Sequence, residues 1–232
     1  MKSLLNIYLL AIATCAFTAC DDPSGVDTNN FTYDFESSTE GWTANYSDYP
    51  AEWDKDRFEF TFERTDLPEE TNEDSKALML SGRNISDDLF MFVKTKITGL
   101  EPNKNYSAIF EIELASQYPE ASVGIGGSPG GSVFLKAGGS TIEPDTIMED
   151  GSIRMNIDKG EQALSGSQMK VLGTVGIEGN EFNYQLITLS NTNDPLEIQS
   201  NASGSLWVIV GTDSGFEGTT TLYYNRIHVR LQ

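Results

Sequence analysis

Residues 42–53 read WTANYSDYPAEW and place Trp42, Tyr46, Tyr49 and Trp53 within one short segment. Aromatic rings exposed on a loop stack on the apolar faces of pyranose sugars, while nearby polar groups bond the hydroxyls. Trp42 adjoins an opening strand and reads as core. Tyr46, Tyr49 and Trp53 stand among polar residues and beside Pro50, so they are expected on a loop as an exposed stacking surface. Arg83 and Asp87 are the groups expected to orient hydroxyls. The alternative for these rings is to fold back as a plug over one end of a sandwich.

Acidic side chains are the other chemistry on offer, with 35 Asp and Glu in 232 residues. Two segments space oxygen ligands along a turn in a way that suits calcium, which takes about 6–8 oxygens in flexible geometry. One is Asn84-Ile85-Ser86-Asp87-Asp88, the other Asp213-Ser214-Gly215-Phe216-Glu217, so Asp88, Asp213 and Glu217 are expected ligands of a structural calcium. Neither matches an EF-hand loop. Glu69 to Asp74 is also acid-rich but reads as a solvated loop.

Catalytic patterns are absent. The only histidine, His228, lies between Arg226 and Arg230 on a strand, which removes histidine-based triads and multi-histidine zinc sites. Gly126-Gly127-Ser128-Pro129-Gly130-Gly131 lacks the lysine of a phosphate-binding loop and reads as a sharp turn. Glu111 and Glu113 would stand about 7 Å apart on one strand face, at about 3.4 Å per residue. Paired carboxyls at such spacing serve glycosidases, but the pair reads as a solvated strand face. No enzyme activity is expected.

The elements that must position these groups are strands. Phe58, Phe60 and Phe62 alternate with Glu59, Thr61 and Glu63, and Tyr106 to Leu114 repeats the alternation. Leu89–Val93 and Leu206–Val210 are apolar on both faces, which predicts strands covered on both sides. Further strands are expected over 31–35, 77–81, 133–137, 152–157, 169–175 and 184–190. In the last strand Tyr223, Ile227, Val229 and Leu231 are expected to face the core, with Asn225 on that same face. The fold class this predicts is all-β, a two-sheet antiparallel β-sandwich of jelly-roll type, occupying residues 31–232 as one domain.

Ahead of that domain, Met1 and Lys2 precede an apolar run from Leu4 to Phe17 and then Thr18-Ala19-Cys20. The run is shorter than the roughly 20 residues a membrane helix needs. Residues 1–19 therefore read as a lipoprotein signal peptide and Cys20 as the lipidated first residue of the mature chain. Cys15 follows Thr14, a poorer cleavage residue. Residues 20–30 read as a flexible tether, and the acyl chains on Cys20 as the membrane partner. Asp21-Asp22 resembles an acidic export tag for the outer face, so the expected location is the cell envelope of a Gram-negative bacterium, at the outer membrane and surface-exposed. A formal charge of −20 argues against nucleic acid as a partner and against adsorption to anionic lipid.

Three segments resemble carbohydrate-binding-module jelly rolls. Phe35-Glu36-Ser37-Ser38-Thr39-Glu40-Gly41-Trp42 is similar to their opening, Gly99-Leu100-Glu101-Pro102 with Tyr106 and Phe110 to their entry into a middle strand, and Tyr223-Tyr224-Asn225-Arg226-Ile227 to their closing strand. The resemblance implies a structural calcium shared by Glu36 and Asn225, where many members carry Asp at the second position. It also implies binding of a polysaccharide. The alternatives carried beside it are an assembly subunit that binds another envelope protein and a glycoside-active enzyme on the same fold.

Overall fold

A computed structural model describes residues 29–232. The segment expected to be a signal peptide, Cys20 and most of the expected tether lie outside the described residues. Among the described residues, fifteen strands form three antiparallel sheets. The largest sheet runs in the order Gln185–Ser190 (β12), Asn105–Ser116 (β7), Thr219–Leu231 (β15), Lys76–Arg83 (β5) and Thr61–Asp66 (β4). Asn30–Tyr33 (β1) pairs with β15, and Leu196–Gln199 (β13) with β7. The second sheet runs Met169–Thr174 (β11), Val133–Ser140 (β8), Leu206–Ser214 (β14), Leu89–Ile97 (β6) and Thr43–Ser47 (β2). A small third sheet joins Tyr49–Pro50 (β3), Ser152–Met155 (β10) and Thr146–Glu149 (β9).

The chain alternates between the two large sheets from β5 to β8. It then returns with β14 between β6 and β8, and with β15 between β5 and β7. That insertion of the last two strands into the middle of both sheets is jelly-roll topology. Alternation along each strand builds the core. Leu78, Leu80, Phe110, Ile112, Leu114, Ile227 and Val229 from one sheet meet Met91, Val93, Leu135, Val208 and Val210 from the other. Each such side chain contributes about 1.5–3 kcal/mol on burial.

The outer face of the second sheet is also covered, which is why Leu89–Val93 is apolar at every position. Phe90, Phe92 and Ile209 pack under Met155, Ile157 and Met169 in a second apolar cluster. The cover is the segment 143–168 between β8 and β11, a strap that carries β9 and β10. Lys94 fastens its near end, 2.9 Å from Glu143 and 2.7 Å from the Pro144 carbonyl. At the far end Gly138 admits the close approach, since a Cβ there would lie 2.0 Å from the Gln168 carbonyl oxygen.

Two sequence expectations change here. Phe58 belongs to a 3-10 turn at Lys55–Phe58, and the strand starts only at Thr61. In β15 the register slips between Tyr224 and Arg226. A β-bulge shifts side-chain parity by one residue. Leu222 and Tyr224 are therefore buried before it and Ile227, Val229 and Leu231 after it. Tyr223 is only half-buried, and Asn225 sits in the bulge itself, off the core face.

Candidate functional site

Where the strap meets the sheet, six charged side chains from distant parts of the chain converge. Asp213 is the last-but-one residue of β14, on its outer face, and is fully buried. Its Oδ2 accepts from Lys136 Nζ at 2.9 Å, Lys159 Nζ at 2.7 Å and the backbone amide of Gln162 at 2.9 Å. Lys136 comes from β8, beside β14, and also donates to the carbonyls of Lys159 and Leu164 on the strap, each at 3.1 Å. Lys159 reaches Asp48 Oδ2 at 3.1 Å, and its ammonium lies 5.1 Å from the Phe90 ring centre. Asp48, in the turn between β2 and β3, takes Arg154 Nη1 on its other oxygen at 3.1 Å. Asp88, at the entry to β6, stands 3.6 Å from Arg154.

Asp213 and Asp88 differ in electrostatic state. Burial alone would raise Asp213, but Lys159 and Lys136 outweigh it and hold the group below the usual carboxylate range. Burial pulls Lys136 down, since Asp213 is the one carboxylate it bonds directly. Lys159 suffers the same burial, yet the charges of Asp213 and Asp48 outweigh it and its pKa goes up. Asp88 is pushed up to about 7 by burial first and then by the neighbouring charge of Asp213. One oxygen from each of Asp48, Asp88 and Asp213 lies within 4.8 Å of the others.

Above this cluster opens a cavity of about 320 Å³. Asp48, Asp88, Arg154 and Lys159 form its inner wall, Met155 and Ile157 an apolar strip, and Glu149, Asp158 and Glu161 its rim. Asp88 and Arg154 are partly accessible, whereas Asp48 and Asp213 are sealed. Ion pairs on the buried side thus fix the polar groups that face solvent.

The structure redistributes the residues expected to bind sugar. Tyr46 and Tyr49 are not loop residues. They lie in β2 and β3, buried, with ring centres 5.1 Å apart and Phe58 at 5.2 and 4.8 Å. The turn at 55–58 folds Phe58 back over them, which is the plug arrangement. Trp53 is half-buried at 6.3 Å from Phe58, with the Arg57 guanidinium 5.1 Å from its ring centre. Arg83 is exposed and pairs with Glu59 at 3.6 Å. Tyr46, Phe60, Lys55, Asp56 and Glu59 border another cavity, of about 550 Å³. Tyr46 lines that one and Asp48 the charged one, so the Tyr46–Tyr49 segment borders both. Asp87 is exposed in a left-handed turn position, φ 68°, and its carbonyl accepts from Gln162.

The expected calcium ligands divide. Asp88 and Asp213, read from two separate loops, do meet, but Asp213 belongs to a strand and faces lysines. Asp48, Lys136, Arg154 and Lys159 complete the cluster and were missed. Glu217 is exposed at the β14–β15 turn and does not join them. Three acids face Lys136, Lys159 and Arg154, so the protein supplies the positive charge that calcium would bring, and the residues do not fit a divalent ion. Glu36 and Asn225 share a different cavity with Asp34, Glu73, Ser75 and Glu113. There the Asn225 oxygen accepts from Ser75 at 3.0 Å and its amide donates to Glu113 at 2.7 Å. Glu36 accepts from the Lys76 amide at 3.2 Å, and the Arg64 guanidinium bonds the carbonyls of Phe35 and Glu36. The one signal for Lys136 is its place as a lone cation inside the apolar strand Val133-Phe134-Leu135-Lys136-Ala137.

These features define an all-β sandwich with a charged, strap-covered sheet face. No family model matches the chain, and no curated protein matches it either. Among solved structures it is similar to carbohydrate-binding modules. A xylan-binding domain of family 22 aligns with a TM-score of 0.41 and 14% identity, covering 87% of this chain and 93% of that one. A module with specific mannan recognition aligns at 0.40 and 12%, covering 86% and 95%. An adhesin domain of Lys-gingipain from Porphyromonas gingivalis aligns at 0.39 and 8%, covering 87% and 97%. At these identities and scores no residue role passes from them to this chain.

Proposed function

We propose that the protein is a glycan-binding module, held at the cell envelope by lipid on Cys20 and displayed from the outer membrane. The observation that carries the reading is the open cavity over the second sheet. Its volume falls within the roughly 300–1,000 Å³ of ligand sites, and its polar wall is preorganised by buried ion pairs. Arg154 donates to sugar hydroxyls, Asp88 and Asp158 accept from them, and Met155 and Ile157 offer apolar contact. An extended polymer lying across the Tyr46–Tyr49 segment would also reach Phe60 and Trp53. Binding of the full-length chain to a panel of plant and host polysaccharides tests this. Retention by a polymer that falls at least tenfold in Arg154→Ala supports the reading, and a folded chain that binds nothing on the panel overturns it. Lipid attachment is tested by the mass of the mature protein and its loss in Cys20→Ala.

One observation favours a second reading. A carboxyl that titrates near neutral pH in an open cavity is what a general acid needs, and Asp88 is such a group. Release of reducing ends from a bound polymer, abolished in Asp88→Asn with binding retained, would move the protein to the glycoside-active enzymes.

A further inference from the structure

Two buried carboxylate oxygens of the cluster have no hydrogen-bond partner. Asp213 Oδ1 is fully buried with no donor, and Asp88 Oδ1 is likewise buried with none. An acceptor sealed from water without a donor is costly, and here two such atoms belong to neighbouring carboxyls. Something positive belongs between them. A divalent cation is poorly suited, because the Lys136 and Lys159 ammonium groups already stand against Asp213, where the ion would have to bind. Asp213 Oδ2 carries three donors, and the Lys159 ammonium lies 2.7 Å from Asp213 and 3.1 Å from Asp48. Calcium would also need about 6–8 oxygens, whereas ammonium groups occupy that space.

We infer that Asp88 and Asp213 share one proton between their unpartnered oxygens, and that this acid pair, rather than a metal ion, completes the cluster. The proton resides on Asp88, the carboxyl without a lysine, and is donated to Asp213, which two lysines keep ionised. The groups facing the pair are Asp48 from the β2–β3 turn, Lys136 from β8, Arg154 from β10, and Lys159, Asp158 and Glu161 from the strap. Glu149 on β9 adds negative charge at the cavity rim. The raised pKa of Asp88 agrees with this geometry. Loss of the proton leaves two carboxylates with oxygens within 4.8 Å of each other, and Asp88 also walls the cavity. Protonation therefore couples the buried cluster to the surface where a ligand would sit.

The test is thermal unfolding of the full-length chain between about pH 4.5 and 8.5, as wild type and as Asp88→Asn, with calcium and with chelator. An asparagine amide donates to Asp213 at every pH. The expected result is near-equal midpoints at the acid end and a deficit of the wild type that widens as pH rises toward about 7 and then levels off, unchanged by calcium or chelator. Parallel profiles overturn the inference, and so does a midpoint that calcium raises in the wild type but not in the variant. Should Asp88→Asn fail to fold, infrared spectroscopy of the wild type decides. A protonated carboxyl band that persists at pH values where ordinary carboxyls are ionised supports the shared proton, and its absence overturns it.

Discussion

At the scale of single residues, Asp213 is the hinge of the structure. It is sealed on the outer face of β14, is the ion-pair partner of Lys136, and shares Lys159 with Asp48. Breaking a buried pair from one side leaves uncompensated charge at a cost of about 3–5 kcal/mol, larger than the net worth of the pair itself. Asp213→Ala should therefore lower the unfolding free energy by about that amount, measured by denaturant titration. Lys136→Met should be milder, because Lys159 still answers Asp213 and the apolar side chain suits the covered sheet face. Equal losses for the two variants would contradict this assignment of roles. Sequence reading found Asp88 and Asp213 but gave them calcium. The oxygen ligands were legible, whereas the lysines opposite them were not, since Asp48, Lys136 and Lys159 reach the cluster only once three separate segments converge.

At the scale of elements, period-2 alternation located most strands and both sheets, because half the residues of each strand face one core. It failed where local geometry interrupts the period. The bulge at Asn225 reversed the reading of Tyr223 and Tyr224, and the 3-10 turn at 55–58 took Phe58 out of its strand. It also failed on β2 and β3, whose Tyr46 and Tyr49 look like loop aromatics by composition and are buried by Phe58. The strap is the element that composition left least visible. It contains few apolar residues, yet Met155 and Ile157 close over Phe90 and Phe92. Its seat depends on close approach at Gly138, where a Cβ would meet the Gln168 carbonyl and the Met169 backbone. Gly138→Ala should lift the far end of the strap, costing about 1–3 kcal/mol as overpacking does. Limited proteolysis reads the same event as faster cleavage within 156–168, with the two main sheets intact.

At the scale of the whole molecule, a charge of −20 and the internal ion network act on stability in the same direction over most of the pH range. Asp88 titrates at about 7 in the folded chain and near an ordinary aspartate value of about 3.9 when unfolded. The folded state therefore holds the proton longer, so this contribution is full below about pH 4 and is lost as pH rises toward 7. Asp213, Asp145 and Asp158 are held low. Their contribution is present above the unfolded value and lost as pH falls below it. Self-repulsion among the surplus carboxylates also grows with pH, but salt screens it with a Debye length of about 8 Å at 0.15 M. Thermal unfolding should therefore peak between about pH 4 and 5 and decline toward pH 8. Added salt should recover the part of the decline that comes from surface charge. The remainder should persist in salt and disappear in Asp88→Asn, because that part arises in a buried contact that counterions do not reach. A decline that salt abolishes completely in the wild type would place the whole effect on the surface and leave the buried cluster electrically inert.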